Sequence, residues 1–198
     1  MSSAAIRARC TPEEYLVHER RAQFRHEYRD GVITAMAGTS REHSLIAWNI
    51  GGELRQQLRG RPCEAYIGEM RVGVDPAGLY TYPDITVVCG GPRFLDDRFD
   101  TLVNPDVLVE ILSPSTEADD RGEEFARSRR LDSLRDYVLV AQDRVRVERS
   151  TRRGDEWVLT EFNSLDDILR LESIDCSIPL REIYDKVPLP DREPPADA

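Results

Sequence analysis

Two acidic residues, Asp84 and Glu110, occupy positions where their carboxylates could do chemistry. Glu110 interrupts the apolar run 107–112, which is typical of a strand buried on both faces, where an ionised carboxylate is costly unless it is compensated. Asp84 follows Pro83 at the start of another apolar run. If the two strands are neighbours, the carboxylates converge, and unit charges ~4 Å apart repel by about 4 kcal/mol at an effective dielectric near 20.

Such a pair must share a proton or hold a cation. Oxygen ligands of this kind suit Mg²⁺ or Mn²⁺. A divalent ion placed there would polarise a phosphoryl oxygen and lower the pKa of a bound water. Each acid alone also has a structural explanation, since Asp84 could be a turn residue and Glu110 a member of an internal ion pair. The combination favours a metal site.

The elements that position these acids follow from cap and turn residues. Thr11 and Pro12 predict the start of a helix that runs to about residue 21. Asp30-Gly31 predicts the turn of a hairpin over residues 24–37. A second helix is expected over residues 42–59. Its N-cap is Ser40 or Thr39, and its inward face includes Leu45, Ile46, Trp48, Ile50 and Leu54.

Further strands are predicted over residues 63–67, 70–74, 85–88, 107–112, 136–141, 144–150 and 157–162. After the Glu110 strand, Thr116 and Asp119 predict the capping box of a helix over 117–131. This order of elements predicts an α/β (α+β) fold, in which a mixed central sheet is flanked by helices and carries an added N-terminal helix and hairpin.

The 198 residues suit a single domain, expected over 1–187, with a disordered tail over 188–198. The net charge of −10 does not favour nucleic acid as a partner, although a local basic groove stays possible. The four cysteines lack zinc-site spacing, and no signal or membrane-length apolar segment is evident. We therefore expect a reduced, cytoplasmic protein without membrane contact, and we expect it to form a homo-oligomer.

Four segments resemble the Uma-two family of restriction-endonuclease-like proteins, which is placed in the PD-(D/E)xK nuclease superfamily. The segments are P-D-I-T-V-V from Pro83, V-L-V-E-I-L-S-P-S-T from Val107, D-R-G-E-E-F from Asp120 and L-R-D-Y-V-L-V from Leu134. The similarity extends from Tyr15 to about Tyr184, and the block E-I-L-S-P-S-T is its most specific part.

This resemblance implies a restriction-endonuclease-like fold with Asp84 and Glu110 as metal-binding acids, joined by the Ile111 carbonyl. Glu27 and His43 match further positions near the family's site. Glu27 could instead be an exposed cross-strand partner of an arginine, and His43 could be a structural or capping residue.

The superfamily lysine that assists the attacking water is missing from its usual place, where Leu112 stands. The resemblance implies that the family carries this lysine on the following helix, at position 124. In this sequence the residue there is Glu124, and Ser128 stands where the family commonly has an aromatic residue. Glutamate also occupies the lysine position in some superfamily members, and Glu124 could equally be a solvated helix residue. Arg121, one turn away, could stabilise charge but could not act as a base.

Three functions are consistent with these residues. The first is a Mg²⁺-dependent endonuclease-like phosphodiesterase, with Thr116 meeting a phosphate at a helix N-terminus. The second is a catalytically degenerate binding or assembly module, which Glu124 and the acidic charge favour. The third is a hydrolase of small phosphorylated molecules, which would need no basic surface.

Overall fold

The computed structural model describes residues 5–6, 9–75, 78–113, 117 and 120–189. Its strands are β1 (Ala5–Ile6), β2 (His26–Arg29), β3 (Val32–Ala35), β4 (Cys63–Ile67), β5 (Arg71–Asp75), β6 (Leu79–Thr81), β7 (Ile85–Cys89), β8 (Thr101–Leu102), β9 (Val107–Leu112), β10 (Asp136–Ala141), β11 (Val147–Arg153), β12 (Glu156–Phe162), β13 (Ile168–Leu171) and β14 (Cys176–Pro179). Its helices are α1 (Pro12–Glu19), α2 (Arg41–Gln57), a π-helix (Asp120–Glu124), α3 (Phe125–Ser128), a 3₁₀-helix (Glu172–Ile174) and α4 (Leu180–Ile183).

A six-stranded central sheet, in the order β12-β11-β10-β9-β7-β4, carries the predicted acids. Strand β9 lies between β10, which is parallel to it, and β7, which is antiparallel to it. All six residues of β9 are buried, as its apolar sequence predicts. The prediction that the runs 85–88 and 107–112 are neighbouring strands is therefore confirmed, and so is the mixed α+β class.

A second six-stranded sheet, the side sheet, has the order β1-β3-β2-β6-β5-β8. The predicted hairpin is present as β2 and β3, and both of its turn residues, Asp30 and Gly31, have positive φ. The sequence predicted the hairpin as an addition to the central sheet. It belongs instead to the side sheet, because β2 pairs with β6, with Tyr28 opposite Tyr80. Strand β6 has three residues, too few to give a periodic pattern.

The two faces of the central sheet contact different cores. Val107, Val109 and Ile111 pack with α2 and the C-terminal elements in one core. Leu108 and Leu112 pack in the other core, which contains residues of the side sheet. Because side chains alternate along a strand, Glu110 belongs to the face of Leu108 and Leu112, on the side of the second core.

The first two helices begin as predicted. Thr11 and Glu14 form a capping box on α1, and the Ser40 hydroxyl accepts a hydrogen bond from His43 N–H on α2. One predicted inward residue of α2 is wrong: Trp48 is 75% exposed, because the buried stripe consists of Ile46, Ala47, Ile50, Gly51 and Leu54.

The helix predicted over residues 117–131 is shorter and has a different geometry. The π-helix Asp120–Glu124 runs directly into α3, and the helix ends at Ser128. The predicted capping box of Thr116 and Asp119 lies outside the described residues. Leu189 is buried in the first core, and residues 190–198 of the expected tail lie outside the described ranges.

The expectation of fully reduced cysteines is wrong, since Cys63 and Cys89 form a disulfide. The two residues face each other across β4 and β7, at a non-hydrogen-bonded pair where Cα atoms approach most closely. Cys10 and Cys176 are free. Within the described part of the chain, no helix combines the length and apolar character needed to span a membrane.

Candidate active site

Asp84 lies immediately before β7, where the ladder between β7 and β9 ends. The last paired residues are Ile85 and Val109, so Asp84 and Glu110 occupy the next pair of positions. In place of a further backbone pair, the Ile111 N–H donates a 2.7 Å hydrogen bond to Asp84 Oδ2. The other oxygen, Oδ1, is 2.9 Å from His43 Nε2 at the start of α2. The structure thus brings Asp84, His43 and Ile111 together.

Glu110 is 9% exposed, and its Oε1 atom has no hydrogen-bond partner among the described residues. Burial raises the pKa of its carboxyl group well above the ordinary value, and the charges of Glu124 and Asp84 raise it further. The sequence predicts that a buried charge at Glu110 needs a compensating cation. Among the described residues, no arginine or lysine forms an ion pair with Glu110. A buried carboxylate oxygen without a partner is a position that a cation would satisfy.

Glu124 is not a solvated helix residue, because it is only 4% exposed. Its Oε1 lies 3.1 Å from the Thr81 hydroxyl group, which also contacts Glu27 Oε1. A hydroxyl group has one proton and can donate to only one of these oxygens, so a second hydrogen bond at this hydroxyl group requires the other carboxyl group to be protonated. Burial, and next the charge of Glu27, accordingly raise the pKa of Glu124 well above its ordinary value.

Among the described residues, the cation that pairs with Glu124 comes from the hairpin and not from the helix. Arg29 Nη2 is 3.6 Å from Glu124 Oε2, and Arg29 also lies 3.9 Å from Glu123. The sequence-based suggestion that Arg121 serves this site is wrong, because its side chain pairs with Glu117 and Glu148 instead. Both residues lie in the π-helix, whose residues do not follow the α-helical spacing that the suggestion assumed.

Sequence reasoning missed three residues of this cluster. Thr81 and Arg29 reach it from the side sheet, and no local pattern marks them. Asp120 is buried, and its charge contributes to the raised pKa values of both Glu110 and Glu124. Asp120 opens the motif D-R-G-E-E-F, so its place in that motif was the available signal.

An open groove of about 730 Å³ leads to the Asp84 end of the acid cluster. Asp84 and His43 line it together with four large apolar side chains that are partly or largely exposed: Phe24, Met36, Trp48 and Ile67. Phe24 and Trp48 are each 75% exposed. Solvent-filled space of this size suits a ligand, and exposed aromatic faces in it offer stacking surfaces.

The fold of this chain is shared by a solved structure. A crystal structure described as "a putative nuclease belonging to DUF820" from Anabaena variabilis ATCC 29413 has the same fold. It superposes with a TM-score of 0.73 over 90% of this chain and 99% of that one, at 19% sequence identity.

The family model Uma2, described as "Putative restriction endonuclease", matches residues 12–181. Two Synechocystis sp. (strain ATCC 27184 / PCC 6803 / Kazusa) proteins are similar. "Uncharacterized protein slr1290" is 36% identical over 92% of this chain and 95% of its own length. "Uncharacterized protein sll1609" is 32% identical over 77% of this chain and 86% of its own length. The chain belongs to the Uma2 family.

Proposed function

We propose that this chain is a divalent-metal-dependent phosphodiesterase that acts on nucleic acid. The observation that carries the proposal is the buried Oε1 of Glu110, which lacks a hydrogen-bond partner within the described ranges and belongs to a residue opposite Asp84 and close enough to Glu124 to feel its charge. Carboxylate oxygens are the ligands that Mg²⁺ and Mn²⁺ prefer, so the donor set fits such an ion.

Asp84 and Glu110 would hold the ion, with the Ile111 carbonyl as the third ligand implied by the family. A bound divalent ion would polarise a phosphoryl oxygen and lower the pKa of a coordinated water. His43 and the Ile111 N–H orient the Asp84 carboxylate. Arg29 supplies positive charge beside Glu124, and a guanidinium group stabilises charge without giving up its proton.

Nucleic acid is favoured over a small phosphoester by the groove that ends at Asp84. Phe24 and Trp48 present exposed aromatic faces there, and base stacking on such faces contributes about 1–3 kcal/mol per base. This term does not depend on a basic surface, so it suits a protein with a net charge of −10.

A second candidate is a family member that binds nucleic acid or a partner without turnover. The observation in its favour is Glu124, which places a buried acid at the family's lysine position. Both candidates keep Asp84 and Glu110 as metal ligands, and they differ in whether phosphodiester bonds are cleaved. Cytoplasmic location, homo-oligomer formation and a disordered C-terminal tail also stay predictions.

The test is cleavage of supercoiled plasmid and of circular single-stranded DNA in Mg²⁺ or Mn²⁺. The proposal expects cleavage that EDTA abolishes and that Asp84→Asn and Glu110→Gln lose. Asp97→Asn, at an exposed loop residue, makes the same charge change and should keep wild-type activity. Metal-dependent binding of DNA without cleavage would support the second candidate, and cleavage that survives in Asp84→Asn would overturn the proposed site.

A further inference from the structure

A second group of potential metal ligands lies where α1 ends and β2 begins. His18 and Glu19 belong to α1, and His26 is the first residue of β2. One ligand atom from each residue lies within 4.8 Å of the other two. Glu19 and His26 are buried whereas His18 is exposed, so the group is accessible from solvent at one side.

The Glu19 carboxylate is held by one of its two oxygens. Oε1 accepts 2.9 Å hydrogen bonds from the His26 backbone N–H and from the Tyr82 hydroxyl group. Oε2 faces the imidazole of His26, with Nδ1 at 3.0 Å. The orientation of the carboxylate is therefore fixed without Oε2, as is typical of metal-ligating carboxylates that are hydrogen-bonded by neighbouring groups.

The separation of these two atoms is close to what a shared ion requires. Zn²⁺ binds nitrogen and carboxylate oxygen at about 2.0–2.2 Å in tetrahedral geometry, which places neighbouring ligand atoms roughly 3.3–3.5 Å apart. The His18 ring lies edge-on to that of His26 at a centroid distance of 5.2 Å. Because His18 is exposed, its ring can turn to bring a nitrogen into the same coordination sphere.

We propose that His18, Glu19 and His26 bind Zn²⁺ or a related transition-metal ion, with the fourth position open to water. Imidazole and carboxylate ligands suit this class of ion, whereas the all-oxygen set at Asp84 and Glu110 suits Mg²⁺ and Mn²⁺. The ion takes the place of the hydrogen between Glu19 Oε2 and His26 Nδ1, and His26 binds it as the neutral ring protonated at Nε2. A singly protonated ring gains a proton at Nε2 as it loses the one at Nδ1, and a doubly protonated ring releases one proton to solvent. The bound ion then joins the end of α1 to the side sheet.

This site is tested on the full chain, stripped with EDTA, by Zn²⁺ competition against a chromophoric chelator. We expect one tightly bound Zn²⁺ and at least ten-fold weaker binding in His18→Ala, a surface substitution that leaves the buried Glu19–His26 contact intact. His43→Ala is the matched control, because the chain has three histidines and His43 is the remaining one. It should bind Zn²⁺ at this site as the wild type does.

Co²⁺ provides a second readout that is independent of nuclease activity. The visible absorption of four-coordinate Co²⁺ should appear in the wild type and in His43→Ala, and it should be lost in His18→Ala. Failure to bind Zn²⁺ at about 100 micromolar, which is far above the sub-micromolar Kd that binding free energies of structural zinc sites imply, would overturn the proposal. So would weakening by His43→Ala with no effect of His18→Ala, which would assign the ion to the Asp84 end of the groove. In that case, Glu19 and His26 form only a structural hydrogen bond.

Discussion

Glu124 and Thr81 meet across the space between the π-helix and the side sheet, with 3.1 Å between the carboxylate oxygen and the hydroxyl group. The contact places the residue at the family's lysine position inside a buried cluster of acids. Glu27, Glu110 and Asp120 are the other acids of that cluster. The charge of position 124 should therefore affect both catalysis and stability.

Glu124→Lys should raise DNA cleavage in Mg²⁺ above that of the wild type. A positioned electrostatic donor at a site where phosphate charge develops is typically worth ~2.7–4 kcal/mol, or about 10²–10³ in rate. Glu124→Gln removes the repulsion without adding a cation and should raise cleavage less. Initial rates of plasmid nicking measure both effects.

Asp84→Ala serves as the blank in that comparison. If the wild type cleaves DNA and both Glu124 variants are inactive, Glu124 is itself a ligand or base. If all three proteins cleave equally, Glu124 has no influence on the reaction, and its proximity to the acids is without catalytic effect.

The buried acids should make the free energy of unfolding fall as pH rises. Glu110 and Glu124 have folded-state pKa values well above the ordinary 4.5, so the folded chain binds more protons than the unfolded chain above that pH. The contribution of the two protonated carboxyl groups to the free energy of unfolding is fully present below about pH 4.5. It is lost as pH rises through the raised pKa values of Glu110 and Glu124 in the folded chain. Glu124→Gln cannot ionise and should be more stable than the wild type by about 1–3 kcal/mol at pH 8 without metal.

Urea unfolding from pH 4.5 to 8.5 in EDTA measures this dependence. The advantage of Glu124→Gln should shrink toward the acidic end of the range. Glu123→Gln changes the neighbouring, half-exposed residue and should show no comparable gain. An advantage that is the same at both ends of the range would show that ionisation of Glu124 is not its cause.

Reduction of the Cys63–Cys89 disulfide should destabilise the central sheet at its β4 edge. The bond closes a loop with a sequence separation of 26 residues. Chain-entropy estimates give about 3–4 kcal/mol for a loop of this length. Urea unfolding with and without reductant measures the loss; Cys10→Ser should keep the sensitivity to reductant, and Cys63→Ser with Cys89→Ser should lack it. Equal stability in both conditions would contradict the bond.

The elements that sequence predicts best are those with a strong local signal. The apolar run of β9 and the N-cap Thr11 have such signals, and both occur at the predicted residues. Trp48 shows the limit of a local pattern, because helix periodicity does not reveal which apolar residue faces solvent. The disulfide could not be predicted from spacing, since it depends on the register of β4 against β7.

The residues of the candidate site likewise differ in how strongly the local sequence marks them. Asp84 stands out in the sequence because it follows Pro83 at the start of an apolar run, and Glu110 stands out because it interrupts the apolar run of β9. Thr81 and Arg29 do not, because they reach the acids only through the pairing of β2 with β6. The burial of Glu124 likewise depends on a π-helix, for which the sequence carries no periodic signal.

Trp48→Ala should weaken the binding of single-stranded DNA. Loss of one stacking face costs about 1–3 kcal/mol, or roughly a five- to hundred-fold rise in Kd. Fluorescence anisotropy in Ca²⁺ separates binding from cleavage. Leu159→Ala removes an exposed apolar side chain of β12 that does not line the groove, and it should bind as the wild type does. Unchanged binding by Trp48→Ala would show that stacking in the groove does not contribute to the binding of DNA.

The central claim is that Asp84 and Glu110 together hold one divalent ion, and calorimetric titration with Mn²⁺ tests it most directly. A His18→Ala background keeps the proposed transition-metal site from contributing heat. We predict one Mn²⁺ per chain, an accompanying rise in thermal stability by mass action, and loss of both in Asp84→Ala and in Glu110→Gln. Absence of binding at millimolar Mn²⁺, or equal binding by Asp84→Ala, would contradict the claim.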